Sequence, residues 1–150
     1  MTVKTSEQGY LEVYYANKKN SKCVILYPGG GYAVHHAGGI ASVIEDFRGS
    51  DVTLIVDYFT LPNKGLLRDR SLEDANAALD LALKNKALWG GYEKVGLIGN
   101  SAGGHLAGYI GQTRHEDVDF QILIYPVVTL TPGKTHEGTL LYWLVRMIYG

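Results

Sequence analysis

The sequence predicts an α/β fold built on a mostly parallel sheet, and three observations carry that prediction. Short apolar runs rich in Val and Ile recur at residues 22–27, 52–56, 94–98 and 120–125, as expected of strands buried on both faces. Helically spaced apolar residues fill most of the gaps between them, which implies right-handed crossovers joining parallel strands. Two of the runs end in glycine clusters, at 28–31 and 99–104, and ligands in such sheets sit at the carboxyl ends of strands.

In chain order, Tyr10-Leu11-Glu12-Val13-Tyr14-Tyr15 alternates with period two over part of its length, which suits a partly exposed strand. Residues 17–22 read as a polar turn into the strand at 22–27. Residues 40–47 form a short helix, followed by the strand at 52–56. A long helix is expected over 69–88: Ser71-Leu72-Glu73-Asp74 is placed to cap its start, while Leu72, Ala75, Leu79 and Ala82 repeat on one face. Gly90-Gly91 stops it before the strand at 94–98. Residues 102–110 make the next helix, 120–125 the next strand, and 140–148 a last apolar helix carrying Trp143. With no repeat, low-complexity tract or linker, residues 1–150 read as one domain.

A hydrophobic content of 46% with 19% charged residues is globular and excludes a disordered chain. The net charge of −1, with the basic residues scattered, favours neither a nucleic-acid partner nor an anionic membrane surface. A single cysteine, Cys23, excludes an internal disulfide and reads as a small core residue. The first residues lack the apolar stretch of a signal peptide, and no run reaches the roughly 18 residues of a membrane span, so a cytoplasmic location is the default expectation.

The segment Gly99-Asn100-Ser101-Ala102-Gly103-Gly104 carries the chemistry. It joins an apolar strand to an amphipathic helix with G-x-S-x-G spacing, the layout of a nucleophile elbow, in which a serine sits on a strained turn between small neighbours. Ser101 is therefore the candidate nucleophile. The second cluster, Tyr27-Pro28-Gly29-Gly30-Gly31-Tyr32, lies about 70 residues earlier at another strand end. Acyl transfer needs backbone N–H groups aimed at a developing oxyanion, and consecutive glycines leave their amides uncovered; Gly30, Gly31 and Ala102 are the candidate donors. Neither cluster matches G-x-x-x-x-G-K-[ST] or the dinucleotide-binding fingerprint, which argues against phosphate.

On these residues the chain resembles the α/β-hydrolase family, within it the acetyl esterases, acetylxylan esterases and feruloyl-esterase-like proteins. Pro28-Gly29-Gly30-Gly31-Tyr32 resembles the oxyanion loop of that branch, Asp57-Tyr58-Phe59-Thr60-Leu61-Pro62 its tyrosine-and-proline segment, and Asp74-Ala75 falls in the following helix. Gly99-Asn100-Ser101-Ala102-Gly103-Gly104-His105-Leu106-Ala107 is the most specific piece, departing mainly at Asn100, where a bulky residue is common. Tyr125-Pro126-Val127-Val128 resembles the end of the strand after the elbow.

The resemblance implies a three-layer α/β-hydrolase sandwich and a serine carboxylic-ester hydrolase acting on a short acyl group, such as acetate on a sugar or small alcohol. No cofactor and no metal are called for. Tyr32 and Tyr125 are the candidate pocket residues. The alternatives are a peptidase or amidase of the same fold and a catalytically inactive scaffold. In the family the order is serine, then acid, then histidine. The acid and histidine follow two further strands after the one at 120–125, and no such strands are visible here. The expectation is therefore the N-terminal part of a longer hydrolase, with the last strands of the sheet missing and an open edge through which copies self-associate.

Other polar residues have plainer readings. Adjacent His35-His36 point in different directions and lack a metal-binding pattern. His105, one helical turn after Ser101, is expected to pack against the sheet. Asp117 and Asp119 are expected to be solvated at a turn, although either of them with His136 obeys the triad order.

Overall fold

The computed structural model describes residues 1–16, 22–62, 68–135 and 137. Most of the turn expected at 17–22, His136 and the helix expected at 140–148 with Trp143 lie outside the described residues.

Six strands and three helices follow in the order β1 (Thr2–Lys4), β2 (Tyr10–Tyr14), β3 (Lys22–Tyr27), α1 (Ala37–Phe47), β4 (Val52–Tyr58), α2 (Arg68–Lys84), β5 (Lys94–Asn100), α3 (Ala102–Thr113) and β6 (Phe120–Ile124). The sheet order is β1-β2-β4-β3-β5-β6. β3 pairs in parallel with β4 and β5, and β5 with β6, whereas β2 runs antiparallel to both β1 and β4. Ile25 is the central register point, opposite Ile55 on one side and Leu97 on the other.

The two-residue period divides each central strand between two cores. Leu11, Val13, Ile25, Ile55 and Leu97 pack with Ala75, Leu79 and Ala82 of α2 and with Leu106 and Ile110 of α3. On the other face Val24, Leu26, Leu54, Val56 and Ile98 meet Ile40 of α1. The three layers expected of the sandwich are present. Cys23 is buried, and desolvation pushes its thiol up to about 12. No helix among the described residues is long and apolar enough to cross a membrane.

Several boundaries differ from the expectations, each for an identifiable reason. β1 has too few residues for a periodic signal and exists because it pairs with β2. α1 starts at Ala37, because the His36 imidazole caps it by accepting from the Gly39 amide at 3.0 Å. α2 starts at Arg68, so Ser71 lies inside it. Its buried hydroxyl donates to the Thr60 carbonyl at 2.6 Å, tying the helix to the end of β4 rather than capping it. α2 ends at Lys84, four residues short of the expected end. The following turn carries buried Trp89 under the sheet, where the Thr53 hydroxyl donates to the Trp89 carbonyl at 2.8 Å.

β6 corrects the expectation of burial on both faces. It is the edge strand of the described sheet, and Ile122, Leu123 and Ile124 remain 42%, 41% and 38% exposed. The other edge is closed by the short antiparallel β1-β2 pair, which turns a polar strand outward.

One polar pair is buried beneath this framework. Asp74 on α2 accepts from the Thr60 amide at 2.8 Å, whereas neither carboxyl oxygen of fully buried Asp57 has a hydrogen-bond partner among the described residues. Burial, with Asp74 nearby as a second cause, raises the Asp57 carboxyl well above its ordinary value, which favours its neutral form. The folded state then keeps a proton that the unfolded chain releases near pH 4, and stability falls as pH rises through that range toward the folded value. The slope from one such group is at most about 1.4 kcal/mol per pH unit. Asp57→Asn is expected to remove it. Thermal melts between pH 4 and pH 8 should show the variant gaining Tm over wild type as pH rises, and a constant difference would contradict this reading.

Candidate active site

The site lies where β3, β5 and β6 end side by side. β5 closes at Asn100, α3 opens at Ala102, and Ser101 makes the turn between them with φ 52° and ψ −119°. A residue with a Cβ is strained at that backbone position. Three main-chain bonds hold it there. The Ser101 N–H donates to the Ile124 carbonyl at 3.1 Å, and its own carbonyl accepts from His105 at 3.1 Å and from Val127 at 3.2 Å. Although Ser101 occupies the N-cap position, its side chain makes no capping bond to α3, so the half-buried hydroxyl is not committed to the helix.

The elbow depends on how closely its neighbours approach. A Cβ on Gly103 would collide with the carbonyl oxygen of Tyr27, and one on Gly99 with the carbonyl of Gly103. Only glycine lets the first turn of α3 rest on the end of β3.

The glycine loop leaves β3 through a left-handed run: Gly30 at φ 139°, Gly31 at 62° and Tyr32 at 63°. The Gly30 carbonyl accepts from Ala33 at 3.0 Å and from Val34 at 3.2 Å, and the Gly29 carbonyl accepts from His36 at 2.9 Å. The Gly29 N–H donates to Asn100 Oδ1 at 3.1 Å. Among the described residues the amides of Gly30 and Gly31 have no hydrogen-bond acceptor. Ala102, first in α3, has no intrahelical acceptor either.

Tyr32 is fully buried and presents no surface to a ligand here; it supports the loop from below. Its hydroxyl and His105 Nδ1 share a hydrogen bond of 2.8 Å, with the rings edge to face at 6.1 Å. His105 thus turns to the glycine loop rather than simply to the sheet. Burial raises the Tyr32 phenol and lowers the His105 imidazole below its ordinary 6.5, so both are neutral near pH 7. Tyr125, by contrast, is 72% exposed, with φ 36°. Its hydroxyl lies 3.4 Å from Asn100 Nδ2.

The remaining polar candidates are engaged elsewhere. Asp119 is exposed, as expected, and accepts from the Val95 amide at 2.8 Å, and Asp117 pairs with Arg114 at 2.7 Å. His35 stands edge-on to Tyr58 and Phe59. Among the described residues no three His, Cys, Asp or Glu side chains come together as metal ligands. His136 lies outside the described residues.

Sequence reasoning missed the structural part played by Asn100. The available signal was a small amide directly before the candidate nucleophile.

A strained serine between two sterically required glycines, beside a loop of open amides, is the geometry of the hydrolase elbow. A model of the alpha/beta hydrolase fold matches residues 24–144. The chain belongs to the α/β-hydrolase fold family. It is similar to an acetylxylan esterase of Xylanibacter ruminicola, 24% identical over 161 aligned positions that take in 99% of this chain and 32% of that protein. Among solved structures, an acetyl ester-xyloside bifunctional hydrolase from Caldicellulosiruptor lactoaceticus matches with TM-score 0.78 and 25% identity, covering 89% of this chain and 54% of that one. A sugar hydrolase from Lactococcus lactis matches with TM-score 0.78 and 27% identity, over 87% and 54% of the two chains. The chain therefore spans about half the length of these solved relatives and about a third of the curated one.

Backbone strain at the α/β-hydrolase elbow has a measurable consequence. Ser101→Gly is expected to be about 1 kcal/mol more stable than Ser101→Ala, because only glycine relieves the positive φ. Denaturant unfolding of the two variants checks this, and equal midpoints would show the turn to be unstrained.

Proposed function

We propose that Ser101 is the nucleophile of a serine carboxylic-ester hydrolase that acts on short acyl esters of sugars or small alcohols. The single observation that carries the reading is the strained, uncapped Ser101 turn. The amide-rich loop beside it and the acetyl-ester names of two relatives support the reaction class and the acyl group. Ser101 Oγ attacks the acyl carbon as a general base takes its proton, and the N–H groups of Gly30, Gly31 and Ala102 hold the resulting oxyanion. Collapse expels the alcohol, which takes up a proton, and leaves an acyl-enzyme that water hydrolyses. Tyr125 borders this site on the solvent side and contacts the alcohol or acyl portion of the substrate. Tyr32 shapes the pocket through the loop. The chemistry uses no cofactor. Residues 1–150 belong to a single α/β-hydrolase domain of such an enzyme and make up its N-terminal part, and exposed β6 is the surface through which copies of the chain self-associate.

In a preparation that turns over p-nitrophenyl acetate, Ser101→Ala is expected to lower turnover by a factor on the order of 10⁶. A variant retaining a tenth of the activity would sink the assignment. Across an ester series, acetyl and propionyl are expected to be hydrolysed faster than octanoyl, and a maximum at eight carbons would indicate a lipase. The second reading is a catalytically inactive scaffold, in which the bond between His105 and Tyr32 only braces the glycine loop. Fluorophosphonate labelling separates the two, since only an activated hydroxyl reacts quickly.

A further inference from the structure

We infer that Asn100 is a positioning residue that sets the glycine loop against the nucleophile; the inference rests on the ester-hydrolase reading above. Asn100 is the last residue of β5, between β3 and β6, and it directly precedes Ser101. Its side-chain amide has one arm for each neighbour. Oδ1 accepts from the buried Gly29 N–H at 3.1 Å, and Nδ2 faces the Tyr125 hydroxyl at 3.4 Å. The orientation follows from chemistry, because the Gly29 amide can only donate.

The contact is close as well as polar. A Cβ on Gly29 would come within 2.6 Å of Asn100 Nδ2 and 2.8 Å of its backbone oxygen, so the loop rests directly on this residue. Gly30 and Gly31 follow immediately, at φ 139° and 62°, and their free amides point wherever the Gly29 anchor sends them. His105 meets Tyr32 at the far end of the same loop, so the segment is clamped from position −1 and position +4 relative to Ser101. A bulky apolar side chain at position 100 would fill space there but leave the Gly29 N–H without its acceptor. The geometry therefore assigns Asn100 a directional task that bulk cannot perform, and oxyanion donors are sensitive to displacements of about 1 Å.

The test compares wild type, Asn100→Ala and Asn100→Asp on the full chain, with amide exchange at Gly29 followed by NMR and Ser101 phosphonylation followed by mass. Asp keeps the acceptor toward Gly29, loses the donor toward Tyr125 and adds a negative charge. Asn100→Ala is expected to speed Gly29 exchange by about threefold to tenfold, as loss of one buried hydrogen bond implies. Its maximal phosphonylation rate falls by a similar factor with half-saturating probe unchanged, and Asn100→Asp, which keeps the acceptor, restores Gly29 protection. Asn100→Ser, too short to reach Gly29, replaces Ala if that variant does not fold. Gly29 exchange within twofold of wild type, no rescue by Asp, or deprotected Gly29 with undiminished phosphonylation would each overturn the assignment. Absence of Ser101 labelling in a wild-type preparation that turns over p-nitrophenyl acetate would overturn the ester-hydrolase reading instead, and Gly29 exchange with its rescue by Asp would then decide the anchor alone.

Discussion

The contact between the first turn of α3 and the end of β3 is the constraint on which the rest of the structure depends. Gly103 lies so close to the Tyr27 carbonyl that no side chain fits between them. That approach places the open amides of a helix N-terminus directly over the sheet. It also forces the chain to pass from β5 into α3 in a single residue, which is why Ser101 takes φ 52°. Moving the helix outward would relax the serine, but it would also separate the Ala102 amide from the loop that follows β3.

The strain does not stop at Ser101. Tyr32, Ser101 and Tyr125 are the non-glycine residues with positive φ among those described; Ser101 and Tyr125 directly follow β5 and β6, and Tyr32 lies in the loop that leaves the adjacent β3. Each such residue costs about 1 to 3 kcal/mol, and such costs persist only where surrounding contacts over-determine the backbone. Here the bonds of Ser101 to Ile124, His105 and Val127, the Tyr32–His105 pair and the Asn100–Gly29 bond supply that determination. Neutral partners suit this role. A protonated His105 would sit desolvated against a buried phenol, and burial resists that charge.

The sheet is asymmetric around this site. On one side it ends in the β1-β2 antiparallel pair. On the other, β6 supplies the Ile124 carbonyl that holds Ser101 yet leaves its own apolar side chains in solvent. One strand therefore both fixes the nucleophile and forms an apolar edge, which couples any event at that edge to the geometry of the elbow.

What the sequence determined by itself is whatever depends on local spacing. The strand at 22–27 is fully legible because its residues are buried on both faces and bounded by turn signals, and Ser101 is legible because G-x-S-x-G between a strand and a helix has few other uses. The tertiary structure alone decided which long-range partner each polar group finds. Ser71 reads locally as a cap, yet it donates across to Thr60. Asp119 reads as solvated and is exposed, yet only the fold decides that it accepts from Val95. Asn100 reads only as an oddity, yet it holds Gly29 from 71 residues away. The burial of Tyr32 and the exposure of β6 belong to the same category, because burial depends on which elements pack together. Hydrogen bonds and steric contacts between residues distant in sequence leave no periodic trace along the chain, and those contacts turn a recognisable elbow into a particular site.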